Sequence, residues 1–287
     1  MSARDRHHPS LPRPPSVKYG EARPTWAVAP LPFRASEHPF GSVRDMATAV
    51  QEAPAERRRA PYPIELYRTA VGKKYVMAIT GIVWMGYVLV HMAGNLKIYL
   101  GRPEMNHYAE WLRTVGEPIF PHSVLLWILR IGMYSAIVLH IYTAWSLTRM
   151  NWARDKKYES RRDYIAANFA SRTMRWTGII VLLFIAFHLA DLTWGFHSVN
   201  PDYVRGDVYN NVTSSLDRPV VAVFYILANL ALGVHLLHGA WSLFQSLGVN
   251  HPRFNAWRRW FAYGFTIIVI GGNVTFPLAV MTGVIGS

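Results

Sequence analysis

The sequence predicts an all-α integral membrane protein, a bundle of five transmembrane helices with the N-terminus cytoplasmic and the C-terminus outside. Three observations predict it. Five apolar stretches follow one another, at about residues 75–99, 123–148, 176–197, 219–246 and 261–284. Each is long enough to cross a hydrocarbon core, which takes about 20 helical residues. The stretches are continuous apolar blocks and lack the in–out alternation of a membrane β-barrel. The segments joining them alternate between basic and near-neutral, which sets the orientation.

The charge pattern carries that last point. The chain has 287 residues, 51% of them hydrophobic, with 30 Lys+Arg against 17 Asp+Glu. A formal charge of +13 would suit a nucleic-acid binder if it were clustered on one surface. It is instead distributed by segment. Residues 1–74 carry net +6, the second inter-helix segment (149–175) +5 and the fourth +3. The first segment (97–122) is neutral and the third (198–218) is −1. Basic flanks face the cytoplasm, so the excess is a topology signal, and no nucleic-acid partner is expected. The chain has no cysteine. That excludes a disulfide framework and a zinc or Fe–S site held by its own thiols.

Residues 1–60 hold nine of the 18 prolines and show neither helical nor strand periodicity. They read as a disordered, Pro-rich cytoplasmic tail ahead of the membrane domain at 61–287. No apolar run of signal-peptide length occurs there. Asp5, Glu21, Glu37 and Asp45 argue against a transit peptide, and Met46 is a second candidate start.

Four of the five spans carry a histidine well inside: His91, His140, His188 and His235, at spacings of 49, 48 and 47 residues. An ionisable side chain within a span marks function by default. Helix direction sorts these four by depth. At 1.5 Å per residue, His91 and His188 lie about 24 and 18 Å from the cytoplasmic side. On the inward-running spans, His140 and His235 lie about 25 and 24 Å from the outside. Two levels result: an outer pair, His91 with His188, and an inner pair, His140 with His235. Paired imidazoles between helices are the axial ligation of b-type haem, so two haems stacked across the bilayer are expected. Small residues one turn away (Gly94, Ala136, Ala144, Ala231, Gly239) or two turns away (Gly195) leave room beside the histidines. His238 shares a face with His235 and is the alternative ligand. Arg130 and Asp191 are the charged residues inside the spans. A buried charge needs a partner, so they are expected to pair with each other, or Arg130 to meet a haem propionate.

The run Gly72-Lys-Lys-Tyr-Val-Met-Ala-Ile-Thr-Gly81 with His91-Met-Ala-Gly-Asn-Leu96, the segment Phe187-His-Leu-Ala-Asp-Leu-Thr-Trp194, and His235-Leu-Leu-His-Gly-Ala-Trp-Ser-Leu-Phe-Gln-Ser-Leu-Gly248 resemble a known family. It is the single-chain, five-helix bacterial cytochrome b anchor of succinate dehydrogenase and fumarate reductase, the succinate:quinone oxidoreductases. The resemblance covers about residues 62–284. It implies residence in the bacterial cytoplasmic membrane and two partners, a flavoprotein subunit carrying FAD and an iron–sulfur subunit carrying Fe–S clusters. Succinate is oxidised in the flavoprotein. Electrons then pass through the clusters and haem b to a membrane quinone, commonly menaquinone, joining the tricarboxylic acid cycle to the respiratory chain. A higher oligomer of the complex is compatible with this reading. The family's axial ligands carry onto His91, His140, His188 and His235.

A quinone needs hydrogen-bond donors near an electron donor. An inner site would draw on Arg68, Lys73 or Lys74 with Trp241 or Ser242. An outer site would draw on Glu104, Glu110 or Glu117. Other readings of the same histidines are a dihaem anchor of another respiratory dehydrogenase, and a haem-free anchor. In the latter, the histidines relay protons or hold another iron centre.

Overall fold

The computed structural model describes residues 61–153, 165–249 and 251–286, with side chains from Thr173 onward in the second of these segments. The expected tail at 1–60 and residues 154–164 of the second basic segment lie outside the described residues. The described residues are helical, without a strand. Five of the helices are long and apolar enough to cross a membrane.

A short helix α1 (Tyr62–Arg68) turns directly into the first long one, α2 (Ala70–Asn95). The turn needs Gly72, because a β-carbon there would lie 2.0 Å from the Leu66 carbonyl oxygen. Thr69 caps α2, its hydroxyl accepting the Gly72 N–H at 3.0 Å. A 3₁₀ turn (Leu96–Leu100) extends α2 and leads to α3 (Arg102–Thr114). The second long helix is α4 (Val124–Trp152) and the third is α5 (Ile165–Leu192). Then come a short α6 (Val208–Leu216), the fourth long helix α7 (Pro219–Ser246) and, after a 3₁₀ turn, the fifth, α8 (Asn255–Met281). The expected spans are all present. Helix α7 has the expected bounds. Helix α5 stops five residues early, because the chain leaves it through Gly195 at φ +62°. Gly195 is therefore no helical neighbour of His188. Three helices were not expected from hydropathy: α1 precedes the first span, and α3 and α6 are short helices inside segments read as loops.

Two packing relations position the site. Helix α4 lies along α2, and α5 lies along α7, so four of the five long helices form two pairs. Helix α8 packs on α7 and touches α2, and α2 also meets α7. The core of this part joins Ala78 and Met85 of α2, Leu236 and Ala240 of α7, and Ala262 and Val269 of α8. Small side chains at these crossings let helices approach closely in a membrane. At the opposite end, α3 and α6 close the bundle. Ile98, Met105, Leu216, Tyr225 and Phe276 form a second core there. Asn106 ties this cap together. Its amide nitrogen donates to Asp207 at 2.8 Å and its oxygen accepts the Tyr209 N–H at 3.0 Å, while Arg102 also bonds Asp207. Large apolar side chains such as Val220 and Trp260 remain 84% and 77% exposed, as expected for helices whose outer faces meet lipid.

Candidate functional site

The structure brings the four histidines together in the two expected pairs. His91 of α2 meets His188 of α5, with ring centroids 5.9 Å apart and planes at 88°. His140 of α4 meets His235 of α7 at 6.4 Å and 60°. The first pair lies toward the end capped by α3 and α6. Each pair spans from one helix pair to the other, so the imidazoles bridge α2–α4 to α5–α7.

Each helix pair braces its own member of the His140–His235 pair. On α2, the Thr80 hydroxyl donates to the Val76 carbonyl at 2.8 Å. Its oxygen then accepts from Nδ1 of His140 at 2.9 Å. On α5, Thr177 donates to the Thr173 carbonyl at 2.7 Å and accepts from Nδ1 of His235 at 3.4 Å. At the capped end, Tyr225 of α7 donates to Asp191 at 2.7 Å and accepts from Nδ1 of His188 at 3.3 Å. Because each hydroxyl proton is already committed, each Nδ1 carries its ring's hydrogen. Nε2 is left with a free lone pair, the form that ligates a metal. His91 is held differently, lying flat against Tyr87 with centroids 5.3 Å apart and planes 13° off parallel.

Thr80, Thr177 and Tyr225 were missed by the sequence reading. The two threonines had a signal. Thr80-Gly81 precedes His91 by eleven residues and Thr177-Gly178 precedes His188 by the same interval. The glycines belong to the motif. A β-carbon at Gly81 would lie 3.9 Å from Cε1 of His140, and one at Gly178 would lie 3.6 Å from Cε1 of His235. Eleven residues of helix rise separate the two levels by about 16 Å. Tyr225 had no comparable signal.

Asp191 and Arg130 do not pair. Asp191 is fully buried and its carboxylate is held by Ser215 Oγ at 2.6 Å, Tyr225 at 2.7 Å and Arg218 at 3.4 Å. The physical reason is that α6 and its junction with α7 fold back over the end of α5, delivering Ser215 from α6 and Arg218 from the α7 cap, residues that sequence reading had left in a loop. Arg130 sits over the Trp127 ring at 5.1 Å. His235 faces His140. His238 stands one turn on, with a buried Nδ1 that has no hydrogen-bond partner.

The inner quinone candidates form no constellation. Arg68, Lys74 and Ser242 are exposed. Lys73 reaches Met150 of α4 at 3.3 Å, and Trp241 lies beneath Arg258 at 5.1 Å. Among the outer acids, Glu110 pairs with Arg113 at 3.1 Å and Glu117 with His122 at 3.3 Å. Glu104 is different. With Lys97 and His107 it lines the polar mouth of a cleft, and Tyr108 and Trp111 are shared with its apolar part. The apolar part, about 490 Å³, runs between α2, α3 and α4 past Val90 and Gly94, either side of His91 in sequence. Gly94 makes room for Tyr108, whose hydroxyl would lie 2.6 Å from a β-carbon there.

The paired geometry fits an axially ligated metal. An imidazole nitrogen ligates a first-row metal at about 2.0 Å and lies about 1.1 Å from its ring centre, so two trans imidazoles have centroids about 6.3 Å apart. The observed separations are 5.9 and 6.4 Å. Among the described residues no three His, Asp or Glu side chains converge on one point, so each level offers two imidazoles and no third ligand from these residue types. No protein-family model, curated protein or solved structure matches the chain.

Proposed function

We propose that the chain is the cytochrome b membrane anchor of a bacterial succinate:quinone oxidoreductase, seated in the cytoplasmic membrane with its basic segments inside. The observation that carries this reading is the meeting of four histidines as two pairs across two helix pairs. Three of them have Nδ1 occupied by a hydroxyl. His140 with His235 would hold the inner haem b, and His91 with His188 the outer one. Bound haem supplies one-electron carriage between the iron–sulfur subunit and a membrane quinone. The chain's own residues hold and orient. Thr80, Thr177 and Tyr225 fix ring direction and tautomer, Tyr87 packs His91, and Arg130 would compensate a propionate. Succinate chemistry belongs to the FAD-bearing flavoprotein.

For the quinone, the cleft between α2, α3 and α4 offers the better-formed site. It joins an apolar slot to Glu104, Lys97, His107 and Tyr108 beside the His91 helix. A membrane quinone, menaquinone for instance, needs an apolar slot with a few convergent polar groups.

Purification of the chain with its co-purifying subunits, followed by a reduced-minus-oxidised spectrum, tests this. Flavoprotein and iron–sulfur subunits and a b-type α-band are expected. Their absence would overturn the reading. His140→Ala should remove one of two haems and slow succinate-to-quinone transfer, while reduction of a soluble dye by succinate persists.

A further inference from the structure

Among the described residues a fully buried carboxylate stands behind one of the four histidines and behind none of the others. Asp191 accepts the Tyr225 hydroxyl at 2.7 Å, and the same Tyr225 oxygen lies 3.3 Å from Nδ1 of His188. Asp191 is anchored on its far side by Ser215 at 2.6 Å and by Arg218, which also bonds the Val199 carbonyl at 2.6 Å. The inner-level histidines have a threonine in the corresponding place, and each threonine passes its proton to a backbone carbonyl, a neutral acceptor. Thus the capped-end pair is backed by a carboxylate through a phenol, and the other pair by peptide groups.

We infer that Asp191 and Tyr225 form a relay that makes His188 a more electron-donating ligand, and that this sets the reduction potential of the outer centre below the value it would have with a neutral backing. The inference rests on the haem reading above. A hydrogen bond to the non-ligating imidazole nitrogen raises ligand basicity, and an anionic acceptor does so more than a neutral one. A more basic ligand favours the oxidised metal, so the potential falls. Burial matters to the size of the effect: Asp191 is 0% exposed, and little water screens it. Tyr225 and Asp191 touch neither the metal position nor substrate, so they are positioning residues. Arg218 offsets part of the carboxylate's charge, and Ser215 fixes one of its oxygens.

Redox titration of the α-bands in the purified complex tests the inference, with the outer centre identified as the one lost in His91→Ala. Tyr225→Phe and Asp191→Asn should each raise the outer midpoint potential and leave the inner one where it was. Both variants should keep two haems and a low-spin spectrum. Two retained haems with an unmoved outer potential would overturn the inference. So would loss of the outer haem from both variants, which would mark a packing role instead. A wild-type complex without haem would overturn the underlying reading, and is recognised before any variant is made.

Discussion

Thr80 and Thr177 show how much a single hydroxyl can decide. Each satisfies its own proton on the helix it belongs to and presents only an acceptor to the neighbouring imidazole. Replacing either by valine keeps the shape and removes the acceptor, leaving a buried N–H without its bond. Outer-shell partners of this kind contribute about 10- to 100-fold in metal affinity. Thr80→Val and Thr177→Val should therefore each lower haem content selectively at the His140–His235 level. The haem-to-protein ratio of the purified complex measures this. Equal loss from both levels would contradict a local role. Asp191 makes the complementary point: its partner is chosen by which side chain the fold delivers, and Arg218 arrives where Arg130 does not.

At the scale of elements, the Thr-Gly motif and the cap carry the predictions. Gly178 faces the ring of His235 at ordinary contact distance for a β-carbon. Gly178→Ala should be tolerated, whereas Gly178→Leu should drive a branched side chain against the imidazole and deplete the inner haem; the spectrum distinguishes the two. The α3–α6 clamp turns on Asp207. Burial opposes its charge, but the Asn106 and Arg102 hydrogen bonds, the Asn210 amide and the Arg102 charge outweigh it. They hold the carboxyl below its ordinary value of 3.8. Its contribution to the cap is therefore complete above that value and is lost as pH falls through the lower folded value. Asp207→Asn should weaken the cap at neutral pH and remove that part of the acid sensitivity. Thermal unfolding in detergent across pH 2–7, compared with the wild type, reads this out; identical acid profiles would contradict it. Arg102 is well exposed in the ion pair, so the effect is modest.

At the scale of the whole molecule, five membrane-length helices and their flanking charges predict one orientation. Alkaline phosphatase fused after the last helix should be active, and the same reporter in the 247–254 turn inactive. The reverse pattern would invert the assignment of outer and inner histidines. Much of this architecture was legible in the sequence, because helix length and apolar continuity are properties of contiguous residues. The pairing of the histidines at two levels along the bundle was legible for the same reason, since rise per residue is constant. The short helices α3 and α6 were not. Their stability comes from the Arg102, Asn106 and Asp207 clamp and from Ser215 and Arg218 around Asp191, contacts between residues about 25 to 105 positions apart. The cleft beside His91 was legible only as a set of outer acids. Once the chain folds, Glu104 lines it, while Glu110 and Glu117 are taken by surface pairs.

By itself, then, the sequence determined five membrane-length helices and the two levels at which four histidines lie, because both follow from distance along a helix. Only the tertiary structure decided what stands behind each ring: Thr80, Thr177 and Tyr225 in place of a pairing between Arg130 and Asp191. The reason is that side-chain partners depend on the order and rotation of helices around the bundle, which position along one helix does not specify.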